Sequence, residues 1–244
     1  MPNPAVSPPG PPESSASVMS SNKTPASLAD RPHPNPSFDP ETHPSSDAHY
    51  PLLGSGRPYN YFTPYILAEA DNTEPLLRAF NDSLAGSERD AALRALLGGI
   101  GEECTVIPPL WVEWGSHTVL GRGVYLGTGI NIQDTGGVTI GDYTMIGPSC
   151  TLSTVTHPLN PRLRGSHSPE LSRPVKIGSN VWLGGNVTVL GGVEIGDGCV
   201  IGAGAVLTRS TGKNELWVGV PAKLVRSGLD TWDDGVDWGS VPPI

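Results

Sequence analysis

Cations are scarce in this chain. Its 244 residues hold 15 Lys and Arg against 24 Asp and Glu, a formal net charge of −9. Binding to a nucleic-acid backbone needs clustered Lys and Arg, so nucleic acid is not an expected partner. Cysteine is also scarce, with Cys104, Cys150 and Cys199 making an odd number without zinc-ligand spacing. That argues against a disulfide scaffold and against a structural zinc site. No apolar run approaches 18 residues, and no basic patch precedes an apolar stretch at the N-terminus. Neither a membrane span nor a secretory signal is supported, and the expected location is the cytoplasm.

Proline and glycine, in contrast, are plentiful and unevenly placed. Nearly half of the 26 prolines precede Pro51, among serines and with almost no aliphatic periodicity. Such a segment buries too little apolar surface to offset its ordering entropy, so residues 1–55 read as a disordered arm. The 31 glycines follow another rule and recur at fixed intervals in the second half.

From "VKIG" onward, aliphatic residues occupy every sixth position: Ile177, Leu183, Val189, Ile195, Ile201 and Leu207. Two positions before each stands a second apolar residue, namely Val175, Val181, Val187, Val193, Cys199 and Ala205. One large and one small column at period six suit a triangular coil whose sides are short strands and whose corners are turns. Gly178, Gly184, Gly196 and Gly202 follow four of the large residues, where a positive φ at the corner would favour glycine. An earlier block runs through Leu120, Leu126, Ile132, Ile140, Ile146 and Leu152, with two extra residues around "DTGG" forming a corner bulge. Period six matches neither 3.6 nor 2, which rules out an amphipathic helix. The fold class is therefore dominated by β-structure: a parallel β-helix over 105–227, with coils of roughly 18 residues stacked along one axis. Cys150 and Cys199 fall in the small column, where a thiol is a compact hydrophobe.

A solenoid needs caps. Residues 56–104 carry helical spacing in two short pieces, the second starting near Ser87, whose hydroxyl is expected to cap it with Asp90 three residues on. After the last coil, "VPAKLVRS" reads as a short C-terminal helix, and 228–244 form an acidic, turn-rich tail.

The hexapeptide run, "PYN" near residue 58, "LLRAFN", "THPLNPRLR", "PVKIGSNVWLGG" and "GAGAVLTR…VGVPAKLVR" together resemble the maltose, galactoside and nodulation-factor O-acetyltransferases, over residues 56–227. The resemblance implies a left-handed β-helix, a homotrimer with active sites between subunits, and acetyl transfer from acetyl-CoA to a sugar-like hydroxyl. An alcohol attacking a thioester needs a base near neutrality, and imidazole titrates closest to that range. His157 sits in the "THP" motif that carries the family's catalytic histidine, and Pro158 biases it toward extended backbone.

The same resemblance places Gly185 as the backbone donor to the oxyanion. Trp182, Asp134 and Glu170 fall at acceptor-side positions, and Ala203 and Thr208 at the pantetheine arm. Arg209, Lys223 and Arg226 match basic positions facing the cofactor phosphates. No metal is expected, because His117, His157 and His167 lack a pattern of ligands on successive coils. Two departures stand out: Gly127 and Gly129 replace the family's acceptor-side asparagines, leaving Asn131 as the nearby substitute, and "TRSTGKNE" lacks the family's two prolines. Three readings are open at this point: sugar O-acetylation, acetylation of another alcohol or of an amine, and a trimeric scaffold that has lost catalysis.

Overall fold

The structure is a computed structural model and describes residues 48–164 and 168–236. Most of the expected arm, together with His167 and residues 237–244, lies outside the described residues.

The chain winds into a triangular solenoid with three faces of parallel strands. The first face stacks Gly99–Ile100, Thr118–Leu120, Val138–Ile140, Val175–Ile177 and Glu194–Ile195. The second stacks Thr105–Val106, Tyr125–Leu126, Met145–Ile146, Trp182–Leu183, Val200–Ile201 and Glu215–Val218. The third stacks Leu110–Val112, Ile130–Gln133, Thr151–Ser153, Thr188–Leu190 and Val206–Leu207. Tyr125 faces Met145 whereas Lys176 faces Glu194, so a coil takes 20 residues in the first half and 18 in the second. The two extra residues lie at the corners between the third and first faces.

Both predicted columns point inward. All six large positions from Ile177 to Leu207 and all six small ones from Val175 to Ala205 are buried in one continuous core. Each large side chain contributes about 1.5–3 kcal/mol by leaving water. The thiols of Cys150 and Cys199 serve as packing groups and donate to the carbonyls of Gly184 and Gly212 at 3.1 and 3.0 Å.

The corner glycines work differently from the sequence expectation. The left-handed residue is not the glycine that follows the aliphatic but the one two places later: Glu103, Gly123, Tyr143, Asn180, Gly198 and Asn214 on one edge. Asparagine tolerates that conformation almost as readily as glycine, so the pattern is hidden in mixed residue types. The glycine after the aliphatic is required by stacking instead. A Cβ on Gly178 would lie 2.7 Å from the backbone N of Asp197, and one on Gly184 would lie 2.6 Å from that of Ala203. Gly127 belongs to this set, because its Cβ would sit 2.8 Å from Pro148 N.

Two helices close the first coil. The first, α1 (Pro64–Asp82), starts ten residues before "EPLLRAFN", with the Thr63 hydroxyl accepting from Ile66 N at 3.4 Å. Its Phe80 is buried in the solenoid core, and Asn81 completes the open edge of the third face by pairing with both N and O of Leu110, at 2.9 and 2.8 Å. In the second, α2 (Ser87–Leu96), Gly86 is the cap and Ser87 already lies inside the helix, so the expected Ser87 cap does not form. At the far end the expected helix is a strand. Lys223–Ser227 turns back antiparallel onto Glu215–Val218, whose edge the last coil leaves unpaired, and ladder bonds outweigh the weak helical spacing of "VPAKLVRS". The expected arm also ends earlier than 55, since Tyr50–Leu52 form a 3₁₀ turn and Leu53 is buried against Tyr59, Ile66 and Trp114.

Replacing Gly127 with Ala should destabilise the protein by about 1–3 kcal/mol, the usual range for forcing atoms into a packed site. Denaturant titration beside the wild type measures it, and an unchanged midpoint would refute the stacking account.

Candidate active site

Among the described residues the corner between the third and first faces is interrupted once, after Ser153. There the chain leaves the coil through Val155–Thr156, makes a 3₁₀ turn at Pro161–Leu163, and returns through Leu171–Ser172, which pairs antiparallel with Val155–Thr156. His157 stands at the outgoing end of this hairpin with its ring half exposed. Glu170 stands at the returning end, and its Oε1 lies 4.0 Å from His157 Nε2. The hairpin thus holds an imidazole and a carboxylate side by side.

The Tyr59 of "PYN" fixes that carboxylate. Tyr59 and Glu170 exchange both backbone hydrogen bonds at 2.9 Å, and the Tyr59 hydroxyl donates to Glu170 Oε2 at 3.1 Å. Burial raises the Glu170 carboxyl above its ordinary range, opposed by the Tyr59 hydroxyl and the adjacent imidazole. Burial, reinforced by the Glu170 charge, also raises the Tyr59 phenol, so that hydroxyl keeps its proton and remains a donor.

Beneath the hairpin lies a second pair of acids. Asp134 is fully buried, with Oδ1 accepting from Trp114 N and Oδ2 from the Thr118 hydroxyl, each at 2.9 Å. Its expected contact with an acceptor is therefore not available in this chain; the carboxylate braces the corner bulge from within. Burial lifts it to about 6 against these donors. Glu113, which the sequence reading did not select, accepts from the Thr135 hydroxyl at 2.8 Å. Its carboxyl is pushed up to about 7, chiefly by burial and further by the charges of Asp134 and Glu170. One signal would have found it: Glu113, Gln133 and Ser153 continue one outward polar column that leads to the histidine loop. His117, by contrast, packs edge-on to Trp114 at 4.6 Å with Nδ1 3.2 Å from Thr135 O, a packing role in the corner.

The remaining residues lie elsewhere on the prism. Gly185 and Ala203 sit at the corner between the second and third faces. Trp182 faces outward on the second face, between Met145 and Val200, and is 53% exposed. A Cβ at Gly185 would meet nothing closer than 3.4 Å, so packing within the chain does not demand glycine there. Among the described residues its N–H has no acceptor. Asn131 lies on the third face between these two corners, half-buried and in register with Trp111 and Thr151. Thr208 and Arg209 follow the last third-face strand, with the Arg209 guanidinium 5.1 Å above the Trp217 ring. Lys223 and Arg226 are exposed on the final strand, and Arg226 stacks on Trp232 at 4.9 Å. One chain therefore brings His157 and Glu170 together but leaves Gly185, Trp182 and Ala203 at another edge. Among the described residues no group of three or more His, Cys, Asp or Glu side chains is placed to hold a metal ion, and no helix is long and apolar enough to cross a membrane.

The bacterial transferase hexapeptide model, six repeats, matches residues 174–209. The galactoside O-acetyltransferase of Escherichia coli strain K12 is 37% identical over 153 residues, covering 62% of this chain and 75% of that protein. A maltose O-acetyltransferase from Clostridium difficile 630 superposes with a TM-score of 0.70 at 31% identity, over 73% of this chain and 96% of the other. This chain is a hexapeptide-repeat acetyltransferase. Another member, from Vibrio cholerae O1 biovar eltor and solved in complex with acetyl coenzyme A, gives a TM-score of 0.68 at 32% identity, over 72% of this chain and 95% of the other.

Glu113 holds its proton in the folded protein at pH values where the unfolded chain has lost it. Its contribution to stability is therefore full below about pH 4.5 and declines as pH rises toward about 7. Glu113→Gln keeps an acceptor for Thr135 without the ionisation, and should raise the melting temperature by a few degrees at pH 8 but hardly at pH 5. Equal shifts at both pH values would rule out a buried, titrating carboxyl.

Proposed function

We propose that this acetyltransferase moves the acetyl group of acetyl-CoA onto a hydroxyl of a sugar or related small molecule, by direct transfer with His157 as general base. The observation that carries the reading is the hairpin that sets His157 beside a carboxylate already held by Tyr59. In the reaction, His157 removes the proton as the acceptor oxygen attacks the thioester carbonyl. The oxyanion accepts from the N–H of Gly185, and collapse expels the coenzyme A thiolate, which recovers a proton from the imidazolium. Bonds and charges balance without an acyl-enzyme. Glu170 beside the ring favours the imidazolium formed midway and holds its orientation.

Because His157 and Gly185 lie at different edges, the complete site takes one edge from each of two copies. That supports a homotrimer in which neighbouring prisms meet across the exposed apolar column of Tyr125, Met145 and Trp182. Asn131, Glu170 and Trp182 then border the acceptor, with Asp134 bracing the corner. Ala203 and Thr208 flank the pantetheine arm, while Arg209, Lys223 and Arg226 offer cations to the phosphates. The cytoplasm, where acetyl-CoA is the available donor, is the proposed location. The scaffold reading drew on Gly127 and Gly129. Gly127 is demanded by coil stacking and Gly129 has φ +73°, so both have reasons unrelated to a lost pocket.

His157→Ala should lower kcat/KM for acetyl transfer by about 10²–10⁴, the range typical of a general base, while leaving the melting temperature unchanged, since the residue is outside both inward columns. Thiol release from acetyl-CoA across sugars, glycosides, polyols and small amines measures it and names the acceptor class. Undiminished turnover by the variant would eliminate the mechanism. Release with amines alone would move the assignment to N-acetylation.

A further inference from the structure

A cleft of about 480 Å³ lies between α1 and the start of the third face. One wall is the indole of Trp111, which stands outward at the head of the column that continues through Asn131. The opposite wall is the helix, with Ala70 and Leu77 facing the cleft. Glu113 lines it too, and the same carboxyl reaches Thr135, the neighbour of Asp134, on the side of the histidine hairpin. The cleft and the candidate site therefore share one side chain.

The polar groups lining this space differ in how much bonding capacity they have left. Thr73 donates to Trp114 O at 3.0 Å, Asn81 is consumed by Leu110, and Arg78 is paired with Glu74 at 2.6 Å. Glu113 accepts from Thr135 through Oε2 and is also hydrogen-bonded by Tyr61, and a carboxylate with about four acceptor positions keeps capacity for a further donor. The volume is within the range of small-molecule sites, where apolar walls and a few placed polar groups are the rule. A flat aromatic face opposite an aliphatic wall, with a carboxylate at one end, fits a pyranose ring. Its C–H face lies on the indole and its hydroxyls donate to the acid. An anionic group would meet Glu74, Asp82 and Glu113, and a long acyl chain would strand those carboxylates from water at a cost.

We propose that this cleft is a second acceptor subsite, which holds a further sugar ring of a glycoside or disaccharide on Trp111 and Glu113 while the ring to be acetylated lies by the histidine hairpin. The assignment rests on the acetyltransferase reading for the identity of the reacting ring, but the binding claim stands apart from it. Two-ring acceptors then bind better than one-ring acceptors, and Trp111 is responsible for the difference.

The test uses the full chain with glucose, galactose, maltose and lactose as probes. Affinities come from saturation-transfer NMR titration without acetyl-CoA, and kcat/KM from thiol release with it. Trp111→Ala should weaken maltose or lactose at least ten-fold more than the corresponding monosaccharide, in both readouts, and Trp111→Phe should recover most of the loss. Trp111 is 43% exposed, so the fold should survive, and thermal melts check that. Should Trp111→Ala misfold, the contrast is read from Trp111→Phe against Glu113→Gln, with Glu113→Gln expected to weaken the disaccharide selectively.

A wild type that does not prefer two rings, or variants that affect one-ring and two-ring sugars alike, would overturn the subsite. Selective binding loss in a protein that transfers no acetyl group would uphold the subsite and remove the reaction. Sugar acetylation indifferent to Trp111 would do the reverse.

Discussion

Successive coils of this protein must come within sheet hydrogen-bonding distance, about 4.8 Å, on all three faces at once. That single spacing selects the residues. Inside, it admits one large and one small side chain per corner, which accounts for the columns from Ile177 to Leu207 and from Val175 to Ala205. At the corners it removes the Cβ of Gly127, Gly178 and Gly184, because the next coil's backbone lies where that atom would be. It also forces a left-handed residue two positions later, a place shared among Asn180, Asn214, Gly198 and even Tyr143.

A scaffold this regular makes its exceptions informative. The break after Ser153 carries the chain out of the stack and presents His157. The hairpin that fills the break is itself tied down, by its own pairing and by the bridge from Tyr59 to Glu170. The N-terminal segment therefore does more than cover an open end: it fixes the partner of the imidazole. The prism geometry also separates the proposed base from the proposed oxyanion donor by a whole face, so the proposed mechanism draws its two groups from two copies.

The solenoid was legible because its signal is summed over many coils, so that no single substitution hides the period. The ends were not, because each end is a single event decided by tertiary pairing. "VPAKLVRS" became a strand when an unpaired edge was available to it, and α1 began at Pro64 with Thr63 as cap, upstream of the periodic stretch. The site was half legible. His157 and Glu170 are brought together by a motif with local spacing, whereas Asp134, read as an acceptor-side acid, is buried as a corner brace. Its burial follows from the Trp114 N–H and the Thr118 hydroxyl, which come from the preceding coil and cannot be seen from the neighbours of Asp134 in sequence.

The three acids of this corner, Glu113, Asp134 and Glu170, place charge where burial disfavours it, and each carboxyl is raised as a result. A hydrophobic corner of the same size would be more stable near neutral pH. What the acids supply instead is a set of fixed acceptors whose donors, Thr118, Thr135 and Tyr59, come from three separate segments. Each such bond tests the register of one segment against another, so the corner is correct only when coil, hairpin and N-terminal segment are all in place. The same burial raises the carboxyl of Glu170, the acid beside His157. The cost in stability and the layout of the candidate site therefore have one origin, the burial of carboxyl groups at the corner where, among the described residues, the solenoid is interrupted.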